Sequence, residues 1–178
     1  MNKFEIRYGA VGGQGIITAG ALLVDIAVEK ENKFAIESPT YTAAVRGGPT
    51  KVDVIIADEP ILFPHAVAID FFLCTDQRPF DLYKDGIRDN AIVVVDSHLV
   101  VELGNTRNWK LYPVPIINET KRQLGNIVLT SVVSLALTQK LTRIILFENM
   151  VEHIRNWAPK NALEMNMKAI DVGLNLVP

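Results

Sequence analysis

The chain has 178 residues, 49% of them hydrophobic and 21% charged, with a net charge of −2. That length and balance suit one globular domain with a real core and exclude a disordered chain. No run of Lys or Arg is long enough to make nucleic acid or an anionic membrane the main partner.

The longest apolar stretches fall well short of a membrane-spanning helix. Met1-Asn2-Lys3-Phe4-Glu5-Ile6-Arg7 lacks the apolar centre of a signal peptide. Cys74 is the only cysteine, so no internal disulfide forms and a reducing cytoplasm is expected. A protein-held iron–sulfur cluster normally needs about four cysteines, so if this chain belongs to a redox enzyme that passes electrons, they travel elsewhere.

Phe4, Ile6 and Tyr8 alternate with polar residues and read as a strand. Gly9-Ala10-Val11-Gly12-Gly13-Gln14-Gly15 is too rich in glycine for a regular element. Ile16 to Lys30 then reads as a helix, with Ile16, Ala19, Leu23, Ile26 and Ala27 on one face. Phe34 to Glu37 closes a first strand–helix–strand unit. From Ser38 to Pro49 the composition is that of a long loop, which points to function. Lys51–Ala57, Ile69–Cys74 and Ala91–Asp96 are strand-like, and the last two resemble interior strands of a parallel sheet. Gln77 to Arg88 is the crossover between them. Trp109 to Ile117, interrupted by Pro113 and Pro115, is extended and lies near an edge.

Asn118 to Lys140 reads as the longest helix, apolar over most of its circumference and therefore buried. Asn126, Thr130, Ser134 and Thr138 form a narrow polar stripe on it, read first as close packing and second as a site-facing edge. Phe147 to Ala158 and Asn161 to Leu174 are two further amphipathic helices. The whole chain, 1–178, reads as one three-layer, Rossmann-like α/β domain with a mainly parallel sheet and helices on both faces. Both glycine-bearing loops fall at carboxyl ends of strands, where such sheets bind ligands.

A glycine loop feeding a helix brings backbone N–H groups close to a ligand and attracts anions. Ala10, Gly12 and Gly15 make a degenerate dinucleotide fingerprint, and Glu37 stands where an acidic residue would hold a ribose. A tight turn with close helix–sheet packing needs the same glycines. Arg46-Gly47-Gly48 can present a planar fork to a phosphate or carboxylate, or be a solvated turn. His65, His98 and His153 lack metal-ligand spacing, and no metal site is assigned. Asp96-Ser97-His98 reads as a cap, without a glycine-flanked nucleophile, and Cys74 as buried and inert. On these residues alone a free-standing NAD- or FAD-binding domain, a ligand-free regulatory module and an enzyme subunit all stay open.

The combination is more specific than its parts. Gly12-Gly13-Gln14-Gly15-Ile16 after a first strand, Arg46-Gly47-Gly48-Pro49, Pro64, Asp70 and Asn126-Ile127-Val128 together resemble the gamma subunit of the 2-oxoacid:ferredoxin (acceptor) oxidoreductases. Ala44 departs from that pattern, standing where the family often has Glu. The resemblance implies oxidative decarboxylation of a 2-oxoacid, 2-oxoglutarate in the first instance, to acyl-CoA. It implies thiamine diphosphate on alpha and beta subunits, iron–sulfur clusters on a ferredoxin-like delta subunit, and coenzyme A access beside the gamma chain. Lys84-Asp85-Gly86 is no thiamine motif, so no catalytic residue is expected in this chain. Gly12, Gly13, Gln14, Gly15, Arg46, Gly47 and Gly48 are the expected cofactor-binding or subunit-interface residues.

Overall fold

Ile6, Tyr8 and Ala10 point to one side of the first strand and Glu5, Arg7 and Gly9 to the other, and all six are buried. Such a strand can only lie inside a sheet covered on both faces. The computed structural model describes residues 3–40, 47–106 and 108–178 and places this strand, β1 (Lys3–Val11), centrally in a six-stranded sheet. The others are β2 (Phe34–Thr40), β3 (Pro49–Ala57), β4 (Ile69–Cys74), β5 (Ile87–Asp96) and β6 (Lys110–Val114), in the order β2-β3-β1-β4-β5-β6. The pairs β1–β4, β4–β5 and β5–β6 are parallel, whereas β3 runs antiparallel to both β1 and β2.

The α/β class and the mainly parallel sheet are as expected, with one difference. β2 returns parallel to β1 but does not touch it, because β3 lies between them. Strand direction is set by the partner a segment finds, and nothing local to Pro49–Ala57 encodes it.

The helices are α1 (Ile16–Glu29), α2 (Gln77–Tyr83), α3 (Ile116–Leu124), α4 (Thr130–Thr142), α5 (Phe147–Trp157) and α6 (Leu163–Asn175). All but α2 pack on the face carrying Ile6, Tyr8, Val54, Phe71 and Val94. Phe80 of α2 covers the other face with Ile55, Phe72, Val93 and Val95.

Several boundaries differ from the sequence expectation. Gly9–Val11 are not irregular but end β1, and β5 opens at Ile87, inside the expected crossover, because pairing with a neighbouring strand extends both segments. Ser38–Thr40 and Pro49 belong to strands, which shortens the 38–49 loop. Ile116 and Ile117 are helical, so the extended piece ends before them. The single helix over Asn118–Lys140 is two. Gly125 terminates α3 at φ 67°, and Asn126 caps a 3-10 turn (Ile127–Leu129) by accepting from the Val128 N–H. Left-handed backbone stops a helix at little cost only at glycine or asparagine, which is why the apolar stripes continue while the helix does not. Asn126 therefore leaves the polar stripe. Thr130, Ser134 and Thr138 stay on α4, fully buried. Thr138 donates to the Ser134 carbonyl, which leaves its Oγ1 to accept from the Tyr8 hydroxyl at 2.8 Å. The stripe is close packing.

Arg7 fixes the opposite face. Its Nε and Nη2 bind the two carboxylate oxygens of Asp53 at 2.6 and 3.0 Å, and Nη2 also donates to the Ala66 carbonyl. Nη1 donates to the carbonyls of Tyr83 and Asp85. All five guanidinium N–H groups thus have acceptors, on β3, the 58–68 segment and the end of α2. Nearby, the buried Glu5 carboxylate accepts from the N–H groups of Val67 and Ala68 and pairs with Lys3. Burial pushes its pKa up, but those N–H groups and Lys3 outweigh burial and hold it below the ordinary value.

A carboxyl with a depressed folded pKa contributes stability above its unfolded pKa and loses it as pH falls through the folded one. Glu5→Gln should therefore cost about 1.5–3 kcal/mol at neutral pH. The gap between variant and wild type should close as the pH is taken below the ordinary carboxylate range. Urea unfolding at stepped pH measures it; two stability curves running parallel down to acid would contradict this role for Glu5.

Candidate functional site

β1, β4, β5 and β6 all point their carboxyl ends the same way, and the start of the antiparallel β3 joins them there. β1 pairs with β3 up to Val11 opposite Pro49, and one more bond carries the pairing into the loops: the Gly12 N–H donates to the Gly48 carbonyl at 2.9 Å. A Cβ on Gly12 would stand 3.5 Å from the Gly47 nitrogen. Gly12 and Gly47-Gly48 are therefore neighbours. Tyr41 to Arg46, including Ala44, lie outside the described residues, so Arg46 is the one expected site residue with no geometry here.

Two glycines in the first loop are there for conformation. Gly13 has φ 100°, and among the described residues beyond its chain neighbours no atom lies within 4 Å of the place a Cβ would occupy. Gly15, at φ 75°, caps α1 and accepts the first helical bond from the Ala19 N–H. A Cβ on Gly15 would lie 2.5 Å from the Val128 carbonyl oxygen and 3.3 Å from Ser131 Cβ. The 3-10 turn ahead of α4 thus presses directly on the glycine loop. Gln14 is buried and accepts from the Thr75 hydroxyl just past β4.

These pieces enclose a cavity of about 350 Å³ lined by Val11, Gly12, Gly13, Gly15, Ile16, Ile17, Thr18, Thr50 and Val128. The first turn of α1 forms one side, and no side chain caps that helix. Uncapped N–H groups and the positive end of the helix dipole favour an acceptor or anion there. The remaining wall is made by Val11, Val128, Thr50 and the loop glycines. Thr18, Thr50, Thr75 and Val128 were not singled out from the sequence as site residues. The Asn126-Ile127-Val128 segment carried the available signal, since Asn126 shapes the turn that delivers Val128.

The other sequence candidates fall elsewhere. Glu37 lies mid-way along β2, across β3 from the glycine loop, with Oε2 facing Gly20 of α1. Burial, reinforced by the Asp25 carboxylate, pushes its pKa up. The ribose-binding position of a dinucleotide fold needs β2 beside β1, so Glu37 cannot take that role. Asp96 is a cap, accepting from His98 and Leu99 with one oxygen and from Ile117 at the start of α3 with the other. Cys74 is buried, its thiol pushed up by burial to about 12. One such thiol cannot assemble an iron–sulfur cluster. His65 lies in the 58–68 segment, His98 in the turn after β5 and His153 on α5.

The two loop glycines should respond differently to a methyl group. Gly13→Ala meets only the backbone penalty of roughly 1–2 kcal/mol. Gly15→Ala adds a collision with the Val128 carbonyl and should lose more than about 2 kcal/mol, read as a shift of urea midpoint at constant slope. Equal losses would show that the turn before α4 is not seated on Gly15.

Comparison with known proteins agrees with this architecture. The family model of pyruvate ferredoxin/flavodoxin oxidoreductase matches residues 5–176. The 2-oxoglutarate synthase subunit KorC of Methanocaldococcus jannaschii is 34% identical over 170 residues, covering 95% of this chain and 91% of its own. The gamma subunit of a keto/oxoacid ferredoxin oxidoreductase from Geobacter sulfurreducens superposes with a TM-score of 0.88 at 30% identity, over 99% and 97% of the two chains. The 2-oxoglutarate:ferredoxin oxidoreductase of Magnetococcus marinus, solved with 2-oxoglutarate, coenzyme A and succinyl-CoA bound, shares the fold. There the TM-score is 0.84 at 20% identity, over 99% of this chain and 31% of that one. The chain belongs to the pyruvate ferredoxin/flavodoxin oxidoreductase family, as a gamma subunit of a 2-oxoacid:ferredoxin oxidoreductase.

Proposed function

We propose that this subunit serves a 2-oxoglutarate-oxidising enzyme and that Gly12–Gly15 with Arg46–Gly48 form the face it turns toward partner subunits and coenzyme A. The bond from the Gly12 N–H to the Gly48 carbonyl is the observation that carries the reading, because it joins both glycine turns into one surface. The cradle suits the part assigned to it. Among the described residues nothing beyond their chain neighbours fills the place a side chain would take at Gly13 and Gly47, and the uncapped start of α1 offers N–H donors to a phosphate or a partner's carbonyl.

The chain as a whole, 1–178, acts as one domain in this reading. Thiamine diphosphate is carried by alpha and beta subunits and the clusters by a ferredoxin-like delta subunit. Bound there, they supply the decarboxylation and the electron path. This chain's own residues shape and dry the edge of that site, and ferredoxin or another acceptor is reached through the complex. The assembly works in the cytoplasm; no helix among the described residues is long and apolar enough to cross a membrane. In the Magnetococcus marinus enzyme the matching fold is 31% of a longer chain, an arrangement that suits a domain made to pack against others. The substrate assignment rests on the KorC relatives, of which the Methanocaldococcus jannaschii subunit is 34% identical.

Reconstitution of the complex with Arg46→Ala or Gly13→Val gives the test. Each variant should raise the KM for coenzyme A by about tenfold, equivalent to ~1.4 kcal/mol of lost binding, or impair assembly. Wild-type assembly and coenzyme A dependence in both would overturn the interface reading. Turnover of pyruvate in preference to 2-oxoglutarate would overturn the substrate.

A further inference from the structure

We propose that Thr75 is a positioning residue for coenzyme A use, acting through Gln14 to hold the glycine loop in its ligand-ready shape. The inference rests on the interface reading above and extends it to a residue on a different strand. Gly12, Gly13 and Gly15 have no side chains, so Gln14 is the only side chain with which this loop can be held. That side chain is buried rather than offered to solvent, only 7% exposed, and its Oε1 accepts from Thr75 Oγ1 at 2.5 Å. Thr75 is itself fully buried, and its N–H donates to the Gly9 carbonyl of β1 at 3.0 Å.

The loop is therefore tied at two points on opposite sides. Gly12 is bound to Gly48 ahead of β3, and Gln14 is bound to Thr75 behind β4. Between the ties sits Gly13, at φ 100° and with no described residue beyond its chain neighbours against it. Glycine-rich backbone samples many conformations, of which the loop here holds one. The ties select it. The second tie also spans the crevice between β1 and β4, whose outgoing crossovers α1 and α2 lie on opposite faces of the sheet. Ligands of open α/β sheets bind at such a switch point.

Thr75→Val keeps the shape and removes the hydroxyl, whereas Thr75→Ser keeps the hydroxyl. In the reconstituted complex Thr75→Val should raise the KM for coenzyme A about tenfold. The KM for the 2-oxoacid should stay at its wild-type value, and Thr75→Ser should restore coenzyme A use. In the full-length chain alone, Thr75→Val should speed amide hydrogen exchange across residues 12–16 and leave the β1–β4 ladder protected. Faster exchange throughout the sheet, or equal loss with valine and serine, would make the role structural and overturn the proposal. If Gly13→Val raises the KM for coenzyme A and Thr75→Val does not, Thr75 is no positioning residue and the interface reading stands. If neither variant changes it, the interface reading falls first.

Discussion

The antiparallel pairing of β1 with β3 is the constraint on which the rest depends. Arg7 and Asp53 are directly opposite in that ladder, and the guanidinium grips both carboxylate oxygens. A slip of one residue would turn every side chain of the strand to the other face and separate a buried charge from its partner. The register is thereby fixed along its whole length, from Lys3 opposite Ala57 to Val11 opposite Pro49. The next residues out are Gly12 and Gly48. Two glycine turns more than thirty positions apart in sequence meet because a salt bridge deep in the sheet leaves them no other register.

On that fixed edge, packing supplies the remaining parts. α4 lies against the sheet through small side chains, with Tyr8 bonded to Thr138, and its approach brings the preceding 3-10 turn onto Gly15. Val128 thus reaches the cavity from a segment more than a hundred residues away. Gln14 and Thr75 tie the loop to β4. The chain contributes shape, backbone donors and a cavity wall. A subunit with one buried cysteine, its thiol pKa raised to about 12, has no cluster chemistry of its own to add.

Much of this was legible in the residues. Ile69–Cys74 is apolar but for Asp70 because it is buried on both faces, and its limits coincide with those of β4. The glycine loop announced itself by composition, and Asp96 as a cap by its place after an apolar run. What escaped the sequence was mostly non-local. The direction of β3 depends on a pairing partner. The break at Gly125 is one residue's backbone conformation inside an apolar pattern that continues past it. Glu37 has the spacing of a ribose ligand, yet an interposed strand removes it from the loop. Thr75 carries no motif, and tertiary packing alone brings it beside the glycine loop.

The claim at the centre is that one composite surface, built from both glycine turns and the turn before α4, is what the partner subunits cover. Amide hydrogen exchange of the chain, free and within the reconstituted complex, tests it most directly. Exchange should slow together in residues 12–18, 47–50 and 127–131. Protection confined to the other end of α4, around Arg143 to Phe147, with those three segments exchanging as in the free chain, would contradict it.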